Sequence, residues 1–264
     1  SSCGIDKEPA IPISSIAGGD LDLSYNSTGF FTHHGAANNG GGTGDDEGLD
    51  ISVDSENRAV IVGYSVNASG NKDLAVWRIT EDGVFDPDFN GGEPFTHDNA
   101  AGGNDDDFGN AVFIGPSDEI YITGASRNGA GNFDMVIWKL TSSGALDTSL
   151  SSDGVYTHNN AAGGNLHDQG NDIVVHSNGY MFVTGFSDQT ATNRDMAIWK
   201  VAPPGFLDTT FSSDGIVTAD GSAGGEDDIG NSIILDANNE ILVAGRSDRP
   251  GNVADMAVWL SLIH

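Results

Sequence analysis

The pentad DMAIW at Asp195–Trp199 decides the fold of this chain, because versions of it occur four times. The copies are DLAVW at Asp73–Trp77, DMVIW at Asp134–Trp138, DMAIW at Asp195–Trp199 and DMAVW at Asp255–Trp259. Successive tryptophans are 61, 61 and 60 residues apart in a chain of 264 residues. Such a regular period is typical of stacked or ring-arranged copies of one supersecondary unit. We predict a tether at 1–17 and a four-repeat domain at 18–264, with repeats at about 21–84, 85–145, 146–206 and 207–264.

Each repeat predicts four short strands and no helix. A strand-like piece ends at a recurring threonine, and a long polar loop then leads to two apolar strands before the pentad strand. Two of these strands are apolar almost throughout, which indicates burial on both faces. Four strands per repeat, packed face to face around an axis, form a β-propeller.

We therefore predict an all-β propeller of four four-stranded blades. The segment around Phe30-Phe31 is predicted to join the last blade beside Met256–Leu260, so that both termini close the ring and cover two sheet edges. An open array, or two chains that share a larger ring, would have the same period, and both alternatives stay open at this point.

The repeats resemble a known family. Each has a GG-x-DD-x-G-N loop, an apolar strand, a Y-x-T-G strand and D-x3-W, or close variants, best seen at Gly102–Gly124 with Asp134–Leu140 and at Gly163–Gly185 with Asp195–Val201. They are similar to the bacterial sixty-residue "delta" propeller repeat and to SBBP-type repeats, over about residues 20–260. The resemblance implies a propeller on secreted or surface-exposed bacterial proteins and implies no particular reaction.

The charge balance limits the partners. The chain has 39 acidic and 10 basic residues, a formal net charge of −29. Such a surface repels phosphate backbones, so we expect neither nucleic acid nor anionic membrane as a partner. No apolar run reaches the roughly 18 residues of a membrane helix. We expect an extracellular or cell-surface location, with Cys3 as a free thiol or, alternatively, as the site of a lipid anchor.

The Asp/Asn/Gly-rich loops predict calcium sites. Ca²⁺ takes six to eight oxygen ligands from carboxylates, amides and carbonyls in flexible loops. The predicted ligands are Asp45, Asp46, Asp105, Asp106, Asp107, Asp168, Asp227 and Asp228. One acid recurs in all four copies, as Asp46, Asp107, Asp168 and Asp228. The alternative to calcium binding is that this aspartate caps the turn by accepting hydrogen bonds from backbone N–H groups.

Two further sets of residues recur from repeat to repeat. The pentad residues Asp73, Asp134, Asp195, Asp255, Trp77, Trp138, Trp199 and Trp259 are predicted to be structural. Their aspartates would tie a turn to a neighbouring backbone group, and their tryptophans would pack between blades. His33, His97 and His158 follow the recurring threonine, and we predict that they lie on an outermost strand as surface residues.

From these features we expect a protein without enzyme activity that binds a glycan or a protein through its loops, with Ca²⁺ stabilising them. A site repeated in every blade argues against one active site, which needs an asymmetric set of residues. One alternative is a structural subunit of an extracellular homo-oligomer or polymer, in which IPISSIA at 11–17 adds as a strand to a neighbour. A second alternative is a hydrolase that acts on glycans or phosphate esters.

Overall fold

The structure is a computed structural model that describes residues 19–38, 44–221, 226–251 and 253–261. The predicted tether at 1–17, with Cys3 and the IPISSIA segment, lies outside the described residues. In the described part the regular elements are strands and short 3-10 turns, and no helix is long and apolar enough to cross a membrane.

Sixteen strands follow one another in the residues that the structure describes. They are β1 Asp46–Val53, β2 Ala59–Val66, β3 Lys72–Ile79, β4 Phe95–His97, β5 Gly102–Ile114, β6 Ile120–Asn128, β7 Phe133–Leu140, β8 Val155–His158, β9 Asp168–Val175, β10 Met181–Thr190, β11 Asn193–Ala202, β12 Phe206–Leu207, β13 Ile216–Ala219, β14 Asp228–Leu235, β15 Ile241–Arg249 and β16 Val253–Ser261. The 3-10 turns are Tyr25–Ser27, Ala36–Asn38 and Asn90–Gly92.

The strands form four antiparallel sheets, which we call the first to fourth blades. The first has the order β1-β2-β3-β4 and the second β5-β6-β7-β8. The third has the order β9-β10-β11-β12, with β13 also paired to β11, and the fourth is β14-β15-β16. Every pentad therefore lies on the third strand of its blade, and the short outer strands β4, β8 and β13 come from the following repeat. This confirms the all-β, propeller-like architecture that the repeat predicts.

The predicted closure of the ring does not form among the described residues. The fourth blade has three strands, and no described strand pairs with the outer edge of β16. The segment around Phe30-Phe31 is not a strand. It packs on the first blade instead, where the rings of Phe31 and Phe85 meet edge to face at 5.1 Å.

The core lies between successive blades. One buried cluster joins Leu74 and Val76 of the first blade to Val112 and Trp138 of the second. The next joins the second blade to the third around Trp199, and another joins the third blade to the fourth around Ile198 and Ile233. Because full burial of one such side chain contributes about 2 kcal/mol, these contacts are the main force that holds one blade on the next. Trp138 and Trp199 are fully buried in these clusters between blades, whereas Trp77 packs within the first blade and against the segment that precedes it.

Glycine is required where the second strand of each blade passes the first. A Cβ at Gly63 would lie 1.8 Å from the carbonyl oxygen of Glu47, and one at Gly124 would lie 1.9 Å from that of Phe108. Next to these contacts the pairing register of the two strands shifts, as at a β-bulge. The bulge brings the two backbones closer than any side chain allows, which explains why each repeat has glycine here.

Candidate functional site

The recurring acid of the polar loop caps the turn that precedes it. The Asp107 carboxylate accepts hydrogen bonds from the backbone N–H groups of Asn99 (2.8 Å) and Ala100 (3.1 Å). The hydroxyl of Ser126 accepts the next N–H, that of Ala101, at 2.8 Å. Asp168 with Ser187 repeats this arrangement in the third blade, and Asp46 with Ser65 repeats it in the first. In the first three blades the serine two residues after the glycine of the second strand, namely Ser65, Ser126 or Ser187, is thus part of a structural cap.

The same geometry bears on the predicted calcium ligands. Asp46, Asp107, Asp168 and Asp228 all accept backbone hydrogen bonds, so the capping alternative describes them. Of the other predicted ligands, Asp105 and Asp106 face the Arg127 guanidinium at 3.8 Å, Asp45 is exposed, and Asp227 belongs to the groove described below. Within the described ranges, no group of three or more His, Cys, Asp or Glu side chains could hold a metal ion. Calcium binding stays a prediction.

The pentad aspartates lie at the same end of the blades and are bound by side chains. The Asn67 amide donates to Asp73 at 2.7 Å, and the Asn128 amide donates to Asp134 at 2.6 Å. The predicted tie to a backbone group is therefore wrong, because an asparagine side chain supplies the donor. Burial, with the nearby charges of Asp98 and Asp107, raises the pKa of Asp73 to about 6. Burial likewise raises the pKa values of Asp134 and Asp195.

The raised pKa of Asp73 predicts a pH dependence of stability. The folded chain holds this proton more tightly than the unfolded chain, so the contribution of Asp73 to stability falls as the pH rises from about 4 to about 6. We expect Asp73→Asn, which keeps the acceptor for Asn67, to raise the free energy of unfolding at pH 7 by on the order of 2 kcal/mol. Below pH 4 the gain should vanish. Denaturant titrations from pH 3.5 to 7 measure it.

The matched control is the equivalent Asp255 of the fourth blade, whose side chain is about half exposed and pairs with Arg249 at 2.7 Å. Asp255→Asn should change stability by less than about 1 kcal/mol, as for other exposed ion pairs. A destabilised Asp73→Asn protein at pH 7 would contradict the assignment.

The recurring histidines accept hydrogen bonds from the pentad tryptophans. The indole N–H of Trp138 donates to His97 Nδ1 at 3.2 Å, and that of Trp199 donates to His158 Nδ1 at 3.1 Å. Trp77 and His33 repeat the contact at 3.2 Å. His97 and His158 do lie on outermost strands, but their prediction as surface residues is wrong, because each is half-buried against the tryptophan of the next blade. Burial lowers the pKa values of His97 and His158, consistent with neutral rings that accept the bond.

One junction between blades differs from the others and forms a candidate site. We call the contact between two successive blades a junction. At each described junction, one residue in the polar loop of the later blade accepts a hydrogen bond from a backbone N–H of the earlier blade. That N–H lies at the start of the third strand. The bonds are Lys72 N–H to Asp106 (3.0 Å), Phe133 N–H to His167 (3.1 Å) and Arg194 N–H to Asp227 (3.3 Å). The residue that follows the recurring serine also lies at the junction. It is Arg127 at the first junction, Asp188 at the second and Asp248 at the third. Of the three junctions, only the third therefore combines two carboxylates at these positions.

At this third junction lies a groove of about 510 Å³, which we call the junction groove. It is lined by Ala191, Thr192, Asn193, Arg194, Glu226, Asp227 and Asp248. The Arg246 guanidinium lies 3.5 Å from the Asp227 carboxylate and 3.7 Å from the Asp248 carboxylate. Glu226 and Asp227 are partly exposed, whereas Asp248 is buried.

Two buried oxygen atoms of the junction groove have no hydrogen-bond partner, namely Asn193 Oδ1 and Asp248 Oδ1. The amide of Asn193 cannot turn round to solve this, because its Nδ2 donates to Asp195 at 3.3 Å. A buried acceptor without a donor costs roughly 1–3 kcal/mol. The junction groove therefore favours a ligand that brings hydrogen-bond donors. The features shared by all repeats do not reveal this groove, and the signal in the sequence is the combination of Asp227 and Asp248 at one junction.

The antiparallel sheets of the described residues are propeller-like, and a family model agrees with this fold. A family model described as the DUF5122 β-propeller domain of unknown function matches residues 57–89 and 115–150. The resemblance to a β-propeller family is thereby confirmed at the level of the fold. No curated protein matches the sequence.

Solved structures of two enzymes are similar to this chain. One is an α-L-arabinofuranosidase from Lactobacillus brevis, at 12% identity and a TM-score of 0.43, with 80% of this chain and 70% of that chain covered. The other is an exo-1,5-α-L-arabinanase from a bovine ruminal metagenomic library, at 12% identity and a TM-score of 0.40, with 81% and 76% covered.

These comparisons correct the functional expectation. A non-catalytic binding protein, and the absence of enzyme activity, were expected because every blade offers the same residues. The two similar structures described above are enzymes by name, which stands against this expectation. At this identity the likeness concerns the fold and does not identify a substrate for this chain.

Proposed function

We propose that this protein is a hydrolase that acts on glycans in the junction groove. The observation that carries the proposal is the pair of buried acceptors without donors, Asn193 Oδ1 and Asp248 Oδ1, beside the carboxylates of Glu226 and Asp227. The hydroxyl groups of a sugar would supply the missing donors. The side chains of Arg194 and Arg246 would donate hydrogen bonds to sugar oxygens. A ligand with many hydroxyl groups would therefore satisfy both the acceptors and the donors of the groove.

Glycoside hydrolysis uses two carboxyl groups, an acid that protonates the leaving oxygen and a carboxylate that acts as base or nucleophile. In this proposal Asp248, buried beside the Arg246 guanidinium, is the carboxylate. Glu226, partly exposed at the rim, is the acid, where a leaving group could depart to solvent. Asp227 fixes the junction by accepting the Arg194 N–H and orients Arg246.

The test is an activity panel of arabinans, other plant and bacterial polysaccharides, chromogenic glycosides and phosphate esters. We expect turnover of a glycan and a loss of at least about 100-fold in kcat/KM for Asp248→Asn and for Glu226→Gln, as for removal of a general acid or base. Asp106→Asn is the matched control, because Asp106 makes the same backbone bond as Asp227 at the first junction. It should retain full activity.

Two results would overturn this function. One is a folded wild-type protein that turns over none of the glycans. The other is a double variant, Glu226→Gln with Asp248→Asn, that is as active as the wild type.

We also propose the finer identity that the repeats resemble. Their loop and pentad motifs resemble those of the sixty-residue "delta" and SBBP-type repeats, and this resemblance supports a secreted or surface-exposed location. The net charge of −29 is compatible with neutral glycans as substrates and with Ca²⁺ as a stabilising ion.

A further inference from the structure

The two ends of the row of blades expose apolar residues that interior blades bury. On the first blade, Ile51 is 61% exposed, whereas its equivalents Val112, Ile173 and Ile233 are at most 9% exposed. On the fourth blade, Met256 is 80% exposed, whereas its equivalents Leu74, Met135 and Met196 are at most 1% exposed. Val258 differs from its equivalents in the same way. In the described part of the chain no neighbouring blade covers these end residues.

The interior junctions show which surfaces fit these ends. Leu74 and Val76, the equivalents of Met256 and Val258, share a buried cluster with Val112, the equivalent of Ile51. Met135 and Ile137 share one with Ile173, and Met196 and Ile198 share one with Ile233. The exposed residues at the two ends are therefore the two halves of a junction that the chain already forms three times.

The segment at 22–37 carries a second part of the same junction. Asp46 caps Gly35 and Ala36 as Asp107 caps Asn99 and Ala100. His33 accepts the Trp77 indole as His97 accepts the Trp138 indole. The segment thus contacts the first blade in the same way as the outer strand of a preceding blade contacts the blade that follows it. Its equivalents β4, β8 and β13 each pair with the third strand of that preceding blade. Among the described residues, no third strand pairs with this segment.

We propose that a second copy of this chain covers these surfaces in a head-to-tail contact. The fourth blade of one copy packs on the first blade of the next, and β16 pairs with the segment Phe31–His33 of that copy. The register of the interior blades, in which Leu74 lies opposite His97, places Met256 opposite His33 and Ala257 opposite Thr32. A contact between two different surfaces of this kind is heterologous, and it closes into a ring or continues as a row.

A second copy is the occupant we infer because this chain itself carries both complementary surfaces. Apolar contact and strand pairing drive the association, whereas the net charge of −29 per chain opposes it. Added salt screens that repulsion. We therefore expect the association to strengthen as NaCl rises from 20 to about 500 mM, the reverse of an association driven by ion pairs.

The test is sedimentation velocity of the full chain over a range of concentrations. The wild type should form dimers or larger species, and Ile51→Asp and Met256→Asp should each weaken the association by roughly 30-fold or more, as for hot-spot residues. The control is Val84→Asp. Val84 is an apolar residue that is half exposed, and its equivalent Ala145 is exposed in the second blade as well. The Val84→Asp protein should associate like the wild type. Circular dichroism of all three variants checks that they fold.

A cross-link gives a measurement that does not depend on destabilising variants. In a Cys3→Ser background, Thr32→Cys with Ala257→Cys should form a disulfide between two chains, since directly opposed residues of paired strands are about 4.5–5.5 Å apart. Covalent dimers on a non-reducing gel would support the contact. A monomer at all concentrations, or a disulfide formed only within one chain, would overturn it, and the latter would show that the ring closes inside the chain.

Discussion

Trp199→Ala is expected to lower the free energy of unfolding by about 4 kcal/mol, the largest effect that we predict. The indole is fully buried in the cluster between the second and third blades. Its removal leaves a cavity that rigid neighbouring sheets cannot fill, and large-to-small changes of this kind cost roughly 3–5 kcal/mol. It also leaves His158 Nδ1 without the donor that it meets at 3.1 Å. Urea denaturation followed by circular dichroism measures the change.

The chain contains its own control for this prediction. Trp259 occupies the same place in the fourth blade but is only partly buried, and its equivalent histidine position is Ala219. Trp259→Ala should therefore cost about 2 kcal/mol, roughly half as much, because less surface is lost and no acceptor is orphaned. Equal losses of unfolding free energy for the two variants would contradict the stronger burial of Trp199 and the contribution of its bond to His158.

Asp168→Ala is expected to cost about 3 kcal/mol. The fully buried carboxylate accepts the N–H groups of Asn160 (2.7 Å) and Ala161 (3.0 Å), and it lies beside the Ser187 hydroxyl. Alanine leaves these donors buried without an acceptor, and each one costs on the order of 1 kcal/mol or more. Thermal and urea denaturation in the presence of a chelator measure the change.

The control for Asp168 is Asp153→Ala, which removes an exposed carboxylate that caps only the N–H of Val155 at 3.0 Å. It should cost less than about 1 kcal/mol. The same comparison separates a turn cap from a metal ligand. If the loss in Asp168→Ala appeared only with added Ca²⁺, and vanished in chelator, the residue would be a calcium ligand and the capping role would be contradicted.

The sequence predicted those features that recur in every repeat. The pentad spacing located the third strand of each blade, and the apolar runs located the strands buried between blades. The bonds from Trp138 to His97 and from Trp199 to His158 were missed because they join residues 41 positions apart on different blades. A signal was present, since Ala219 replaces the histidine only in the last copy.

Two other features could not be predicted from the repeat. Ring closure depends on where β16 lies relative to Phe31, which follows from the geometry of all the blades together and not from any one motif. The junction groove depends on a combination that occurs at one junction, Asp227 together with Asp248 beside Arg194. Its two buried acceptors without donors become visible only when the side chains of neighbouring blades are placed together.

The central claim is that the four repeats form equivalent sheets packed one on the next. A crystal structure of the full chain tests it most directly. We predict that Trp77, Trp138, Trp199 and Trp259 lie on the third strands of four successive antiparallel sheets, with the first three indoles donating to His33, His97 and His158. A structure in which any of the four indoles lies on another strand, or in which successive repeats do not pack face to face, would contradict the account.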